Sequence, residues 1–512
     1  MAQSGNNIDK KRMAKNTLLL YVRMLFLLLV GFYTVRLLLK VLGVEDYGLY
    51  NVIFGLVTAF SFFSGAMQST VQRYLCYELG CGQNENARKV FSVSLVLFTV
   101  LSAAVLIFAE TAGLWFVNNK LNIPAGKSTI ALIVYQCSIF MVIFKVLQIP
   151  YIAALTSHEN MGAFAKFSIF DAALHLLSVV VLYFIPENRL VIFSVLYTLS
   201  NLAVFLCYAI YCWKHYNICR VGLAIDKKYI KSMSSFFSWS LFGAVAGISK
   251  QQGLNLLLNV FCGVVLNATW GIATQVGGAV SQFSVSFQQS FNPQILKSYS
   301  NSERKAFFEL LQSCSKYSFF LIWLVALPLL LQTEFMLKLW LDNDLPESVV
   351  IFTQLMVLFV IIDALSAPLW VTVQATGKIR RYQIEISLII CSTFLLSLIA
   401  LKMNAPAYFV ALANTFVNAL TFLYRLFYLR KAINFPFVSY LRFVLLPVLL
   451  VSAGSYLVSK PLKTMFPSCL VWVLVYIFII TLFNLLFAYF IGLSSKERKS
   501  IKNYLKNKIS VH

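Results

Sequence analysis

The sequence predicts an all-α integral membrane protein with about 14 transmembrane helices. They form two six-helix bundles in parallel pseudo-repeat plus a C-terminal helix pair, with both termini cytoplasmic. Three observations carry that expectation. The chain has 512 residues, 60% of them hydrophobic and only 12% charged, whereas an average soluble domain has about a quarter charged. Its charges gather in short clusters between apolar runs, each long enough as a helix to cross about 30 Å of hydrocarbon. The first 430 residues also carry one pattern of turns, prolines and polar positions twice.

Residues 1–15 form a basic leader. No small-residue cleavage site follows it, and the next apolar run is too long for a signal peptide, so it reads as the cytoplasmic approach to the first span. Bounded by charge and turn clusters, the first bundle (16–213) holds spans at 16–41, 48–73, 90–109, 129–155, 162–184 and 190–213. A cytoplasmic linker, 214–231, precedes the second bundle (232–430), with spans at 232–261, 266–292, 307–331, 348–375, 382–402 and 406–429. An extra pair (431–492), with spans at 438–459 and 468–492, leads to a basic tail at 493–512. With this alternation, 29 lysines and arginines fall on the cytoplasmic side, the cluster Lys227, Lys228 and Lys231 among them, and 8 on the other. Such an excess in short loops sets orientation.

The same asymmetry accounts for the net charge of +23; basic loops meet anionic head groups, and no nucleic-acid partner is implied. The ten cysteines show no metal-ligand spacing, and Cys137, Cys207 and Cys391 lie in apolar runs, so neither a metal site nor a disulfide framework is expected. No loop is long enough for a soluble catalytic domain, so neither an enzyme nor a cofactor is expected. Asp342-Asn343-Asp344 has the spacing of a metal-binding glycosyltransferase triplet but sits in a short outer loop, where an acidic solvated turn is the simpler reading.

The repeat pairs "VLGVEDYGLYNVIFG" with "VFCGVVLNATWGIATQVGG": a glycine turn, an aromatic-Gly pair (Tyr47-Gly48, Trp270-Gly271), then a helix with regular polar positions. Pro150 and Pro368, 218 residues apart, match in the same way. A proline there removes a backbone hydrogen bond and marks either a kink or a broken segment beside a cavity. Parallel repeats of this type build transporters with the substrate between the halves.

Polar positions inside the spans are the candidates for function. In the second span Asn51, Thr58, Gly65, Ser69 and Gln72 share a face; in the eighth Gly271, Gln275, Gly278, Gln282, Ser286 and Gln289 do so. Polar side chains are costly in lipid, so such faces meet water or other helices. Their recurrence favours a shared polar cleft, with spans 2 and 8 facing each other across the cargo path. The seventh span adds Lys250 at mid-depth with Asn255 and Asn259 nearby. Lys145 and Lys316 are also deep, whereas Arg23 and Arg36 lie nearer the ends of span 1, where snorkelling explains them equally well. Asp171 and His175, at i and i+4, and Asp363 are the buried titratable candidates for ion coupling; neutralising a lysine is the alternative role for Asp171.

"LGVEDYGLYNV", "GAMQSTVQRYLCYELGCG" with its basic helix start, and the fourteen-span plan together resemble the Wzx-type lipid-linked oligosaccharide flippases of polysaccharide export. These belong to the multidrug/oligosaccharidyl-lipid/polysaccharide (MOP) exporter superfamily, and the resemblance covers roughly residues 15–430. It implies translocation of an undecaprenyl-diphosphate-linked oligosaccharide across a bacterial cytoplasmic membrane for O-antigen or capsule synthesis. The implied partners are membrane lipids, a polysaccharide polymerase and other export proteins. A cationic cleft of Lys250, Lys145, Arg23, Arg36 and Lys316 would suit a diphosphate, and Asn51, Thr58, Gln72, Asn255, Gln275, Gln282 and Gln289 would suit sugar hydroxyls. The rival is a MATE-like drug/cation antiporter, for which an acidic, aromatic cavity is expected; a membrane-embedded enzyme of glycan assembly is third.

Overall fold

The computed structural model describes residues 10–58, 64–120, 127–185, 187–220, 226–300, 304–341, 348–463, 469–495 and 497–499. Asp342-Asn343-Asp344 and most of the basic leader and tail lie outside the described residues.

Among the described residues the regular structure is entirely helical. Contacts divide the chain into two compact units, Met1–Ala244 with Gln289–Ser302, and Val245–Gln288 with Glu303–His512. The first contains α1 (Lys10–Thr58), α2 (Ser64–Gly80), α3 (Asn84–Phe108), α4 (Leu114–Lys120), α5 (Ser128–Ser157), α6 (Met161–Val181) and α7 (Arg189–His215). The long helix α8 (Lys227–Ser300) gives its two ends to this unit and residues 245–288 to the other. The second unit continues with α9 (Arg304–Leu331), α10 (Thr333–Leu341), α11 (Ser348–Thr376), α12 (Arg380–Lys402) and α13 (Tyr408–Ile433), then α14 (Phe437–Tyr440), α15 (Leu446–Leu462) and α16 (Leu470–Phe487).

Among the described residues eleven helices are long and apolar enough to cross a membrane, and they match predicted spans 1, 3–6 and 9–14. Of the three predicted spans outside that set, 7 and 8 have their apolar character interrupted by polar side chains, and span 2 includes residues that are not described. Spans 7 and 8 run through α8; span 2 covers the end of α1 and the start of α2, with residues 59–63 not described. The outer helices bury only one face: α16 packs through Val473, Tyr476, Ile480 and Asn484, while Val471, Leu474, Phe478 and Leu482 are exposed. A helix apolar all round but packed on one side requires hydrocarbon against the rest.

The backbone writes the repeat a second time. Both α1 and α8 break at a glycine, Gly43 (φ 77°, ψ 171°) and Gly263 (φ 83°, ψ 177°), 220 residues apart. That region of backbone space is open essentially to glycine alone. Left-handed residues pair in the same way: Glu159 (φ 59°) with Gly377 (φ 73°), and Asn188 (φ 49°) with Asn404 (φ 57°). Helices α5, α6 and α7 begin 219–220 residues before α11, α12 and α13, and Pro150 and Pro368 lie buried inside α5 and α11.

In the first unit α5 is central, packed against α7, α2, α1 and α3. In the second, Leu254, Leu258, Trp270 and Ala273 of α8 close on Phe352 and Met356 of α11 and Val410 of α13. The C-terminal helices dock on α9, where the Trp323 indole donates to Ser455 at 2.9 Å and the Asn484 amide donates to the Trp323 carbonyl at 3.2 Å.

Candidate functional site

Each unit brings one carboxylate within electrostatic range of two cations carried on neighbouring helices. In the first unit Asp171 of α6 interacts electrostatically with Lys145 of α5 and Arg23 of α1. The Arg23 guanidinium lies 4.5 Å from the centre of the Phe164 ring and donates to the Gln289 carbonyl oxygen at 3.5 Å. His175, one turn from Asp171, stacks on Tyr197 at 4.2 Å, and the Lys145 ammonium sits 5.8 Å from the same ring. All four ionisable groups are half-buried. The sequence offered Arg23 and Lys145 for a cationic cleft and Asp171 and His175 for ion coupling; the structure places all four near one another in the first unit.

In the second unit the Lys250 ammonium of α8 donates to the Asn414 side-chain oxygen of α13 at 2.8 Å and lies 5.0 Å from the Phe359 ring of α11. Asp363 of α11 interacts electrostatically with Lys250 and with Arg425 of α13, while remaining exposed. Arg425 donates from Nε to the Tyr382 hydroxyl of α12 at 2.8 Å and from Nη1 to Ser366 of α11 at 2.6 Å. Three helices thereby fix one guanidinium. Arg425 is not among the site residues expected from sequence, because it lies four residues from the end of span 12, among the positive charges assigned to the cytoplasmic side. Its surroundings, "FLYRLFYLR", with an apolar turn on either side, held the signal.

The polar stripe of α8 divides in two. Gly271, Gln275, Gly278 and Gln282 are exposed, and a Cβ at Gly271 or Gly278 would meet no atom within 4 Å. Further along, Gln289 accepts from Arg23, and the hydroxyls of Ser290 and Thr17 lie 2.9 Å apart in the first unit. An exposed amide row in a membrane helix is tolerated where it lines water or a ligand cavity. Asn255 is half-buried and its amide reaches Gln252 of its own helix, 3.5 Å away. Gln72 is half-buried, its carbonyl accepting from Ser157 at 3.5 Å. The side chains of Asn51 and Thr58 lie outside the described residues.

Two expected members of the cationic set stand apart. Lys316 is buried in α9 and its ammonium is taken by Glu497 at 2.7 Å, with the Tyr317 hydroxyl donating to the other carboxylate oxygen at 2.8 Å. So paired, the Lys316 charge is neutralised within the second unit. Arg36 is exposed on α1.

No family profile and no curated protein matches the chain. Solved structures do resemble it. An outward-facing MATE-family multidrug resistance transporter of the MOP superfamily aligns with a TM-score of 0.71 at 12% identity, covering 83% of this chain and 96% of its own. A MATE transporter in its straight conformation aligns at 0.70 and 13% identity, with the same coverage. A MOP-superfamily transporter from Pyrococcus furiosus, described by the reverse polarity of its binding pocket, aligns at 0.70 and 11% identity, covering 84% of this chain and 96% of its own. The chain therefore has the fold seen in MATE transporters of the MOP superfamily, and its apolar helices mark it as a multi-pass membrane protein.

Proposed function

We propose that this transporter moves an anionic, lipid-linked cargo: a polyprenyl-diphosphate oligosaccharide carried between leaflets of a bacterial cytoplasmic membrane, with the basic loops and both termini on the cytoplasmic side. The carrying observation is the charge count of the two clusters. Each unit sets two cations against one acid, Arg23 and Lys145 against Asp171, and Lys250 and Arg425 against Asp363. Each cluster thus keeps a surplus positive charge among the apolar helices. A phosphate group at about 4 Å from one such cation gains on the order of 4 kcal/mol at an effective dielectric near 20, and a cationic drug would be repelled by as much. The exposed Gln275 and Gln282 supply amides of the kind that hydrogen-bond sugar hydroxyls. Rocking of repeated halves would carry the cargo across, as in other transporters built from repeats, and surface-polysaccharide polymerisation is the process that would use the product.

The MATE-like drug/cation antiporter shares the fold and is the second reading, supported by Asp171, His175 and Asp363 as titratable groups within the spans. The deciding experiment reconstitutes the protein in liposomes with a fluorescent polyprenyl-diphosphate-linked sugar, and in parallel with a cationic dye under an imposed proton or sodium gradient. The expected result is leaflet exchange of the diphosphate lipid, slowed at least tenfold by Lys250→Ala at equal incorporation. Unchanged exchange in Lys250→Ala, or gradient-driven dye movement alone, would overturn the reading in favour of the antiporter.

A further inference from the structure

A cavity of about 960 Å³ opens among α1, α6 and α7 of the first unit, at the end where the basic loops gather. It is two-sided. One wall is apolar: Leu19 and Val22 of α1, with Phe167 and Ile169 of α6. Val22 is 55% exposed, so that wall is continuous with the surface the helix turns to hydrocarbon.

The floor is polar and held in place. The Asn160 amide donates to the hydroxyls of Tyr211 and Tyr216, at 3.0 and 3.1 Å, and the His158 ring stacks on Tyr216 at 4.1 Å. The Glu159 carboxylate also borders the cavity, but it is paired with Lys297 at 2.8 Å and receives the Gln294 amide at 3.3 Å. Its charge is neutralised at the cavity edge. Lys166 is exposed and forms no hydrogen bond or ion pair with any described residue. It lies five residues into α6, about 7.5 Å along the helix, a depth that suits the head-group level. The sequence adds Lys10, Lys11, Arg12 and Lys15 in the turns ahead of Asn16.

From this layering we propose that the cavity seats an anionic phospholipid of the surrounding bilayer, its phosphate on Lys166 and its chains along Leu19 and Val22. Basic pockets between transmembrane helices on the cytoplasmic side take such head groups, and tyrosines at that level complete the interface. Exposure of Val22 at the hydrocarbon surface favours a lipid drawn from the bilayer over a transported one. The assignment rests on the cytoplasmic orientation proposed above but not on the cargo, and it is tested by binding without transport.

The protein is purified into phosphatidylcholine nanodiscs containing phosphatidylglycerol, and the lipid retained is measured by native mass spectrometry. Lys166→Gln should lower phosphatidylglycerol occupancy about fivefold, and Lys166→Arg should retain it. Gly162→Leu, at a position whose Cβ would meet only Leu19 at 3.8 Å and Asn160 at 3.9 Å, should fill the cavity and lower occupancy with the charge intact. Lys228→Gln, an exposed lysine elsewhere on the basic face, is the control and should bind as the wild type does. Equal occupancy in all variants, equal retention of phosphatidylcholine, or displacement of phosphatidylglycerol by a polyprenyl diphosphate would each overturn the proposal. The phosphatidylglycerol and phosphatidylcholine outcomes are independent of whether the protein exchanges the diphosphate lipid in the transport assay.

Discussion

Removing Glu497 isolates a charge inside the second unit. Its carboxylate and the Lys316 ammonium are 2.7 Å apart, with side chains only 11% and 6% accessible, and the Ser494 amide donates to the same carboxylate at 2.7 Å. Breaking such a pair from one side costs about 3–5 kcal/mol, because the remaining charge stays buried, whereas replacing both partners with apolar groups of similar volume is near neutral. Glu497→Gln and Lys316→Met should therefore each destabilise by about 3 kcal/mol. Lys316→Met/Glu497→Leu should lose well under the sum of the two, as read by thermal unfolding in one detergent. The pH dependence has a definite sign. Burial pushes the Glu497 carboxyl up, but the bond to Lys316 and its charge, with the Ser494 amide and Tyr317, more than offset this and hold it below the usual range. Its contribution is fully present above the unfolded value of about 4.3 and is lost as pH falls through the lower folded value. The wild-type unfolding temperature should thus converge on that of Glu497→Gln below about pH 4.3. If the double variant folds and reaches the membrane yet fails to transport, Lys316 meets cargo and its assignment as a structural partner is refuted.

Gly263→Ala should destabilise by about 1–3 kcal/mol although the new Cβ meets no atom within 4 Å, because the backbone there excludes a side chain. Gly278→Ala, equally open but helical, should be neutral or stabilising by up to about 1 kcal/mol, and matched unfolding curves separate the two. Arg425→Lys keeps the charge but cannot span Tyr382 and Ser366 together, so a loss of about 1.5–3 kcal/mol in stability is expected with a slower transport rate. Wild-type stability in that variant would show that the guanidinium fork holds nothing.

Apolar runs made most of the fold legible, since a helix facing lipid shows its nature in every residue. The two spans within α8 escaped the same test because one face of each gives up apolar character to polar side chains, and those faces carry the candidate site residues Lys250, Gln275 and Gln282. The repeat could be read from Gly43, Gly263, Pro150 and Pro368, residues whose backbone demands outlast sequence drift. The pair Glu159 and Gly377 could not, because nothing in a glutamate announces a left-handed backbone. The Asp171 cluster was visible by helical spacing within α6, but its cations come from α1 and α5. Whether Lys316 faces a ligand or Glu497 depends on a residue 181 positions away, which no local pattern encodes.

The two halves share a backbone plan but do not rest equally within it. Gly377 adopts its left-handed turn at no steric cost, whereas Glu159 in the matching turn bears on the order of 1–2 kcal/mol. That cost is sustained by the Lys297 and Gln294 contacts at the end of α8. Drawing the end of α8 away from the turn would remove the contacts and let the strain relax together. The first half therefore contains a cocked spring where the second has a free joint, so the two turns need not give way together.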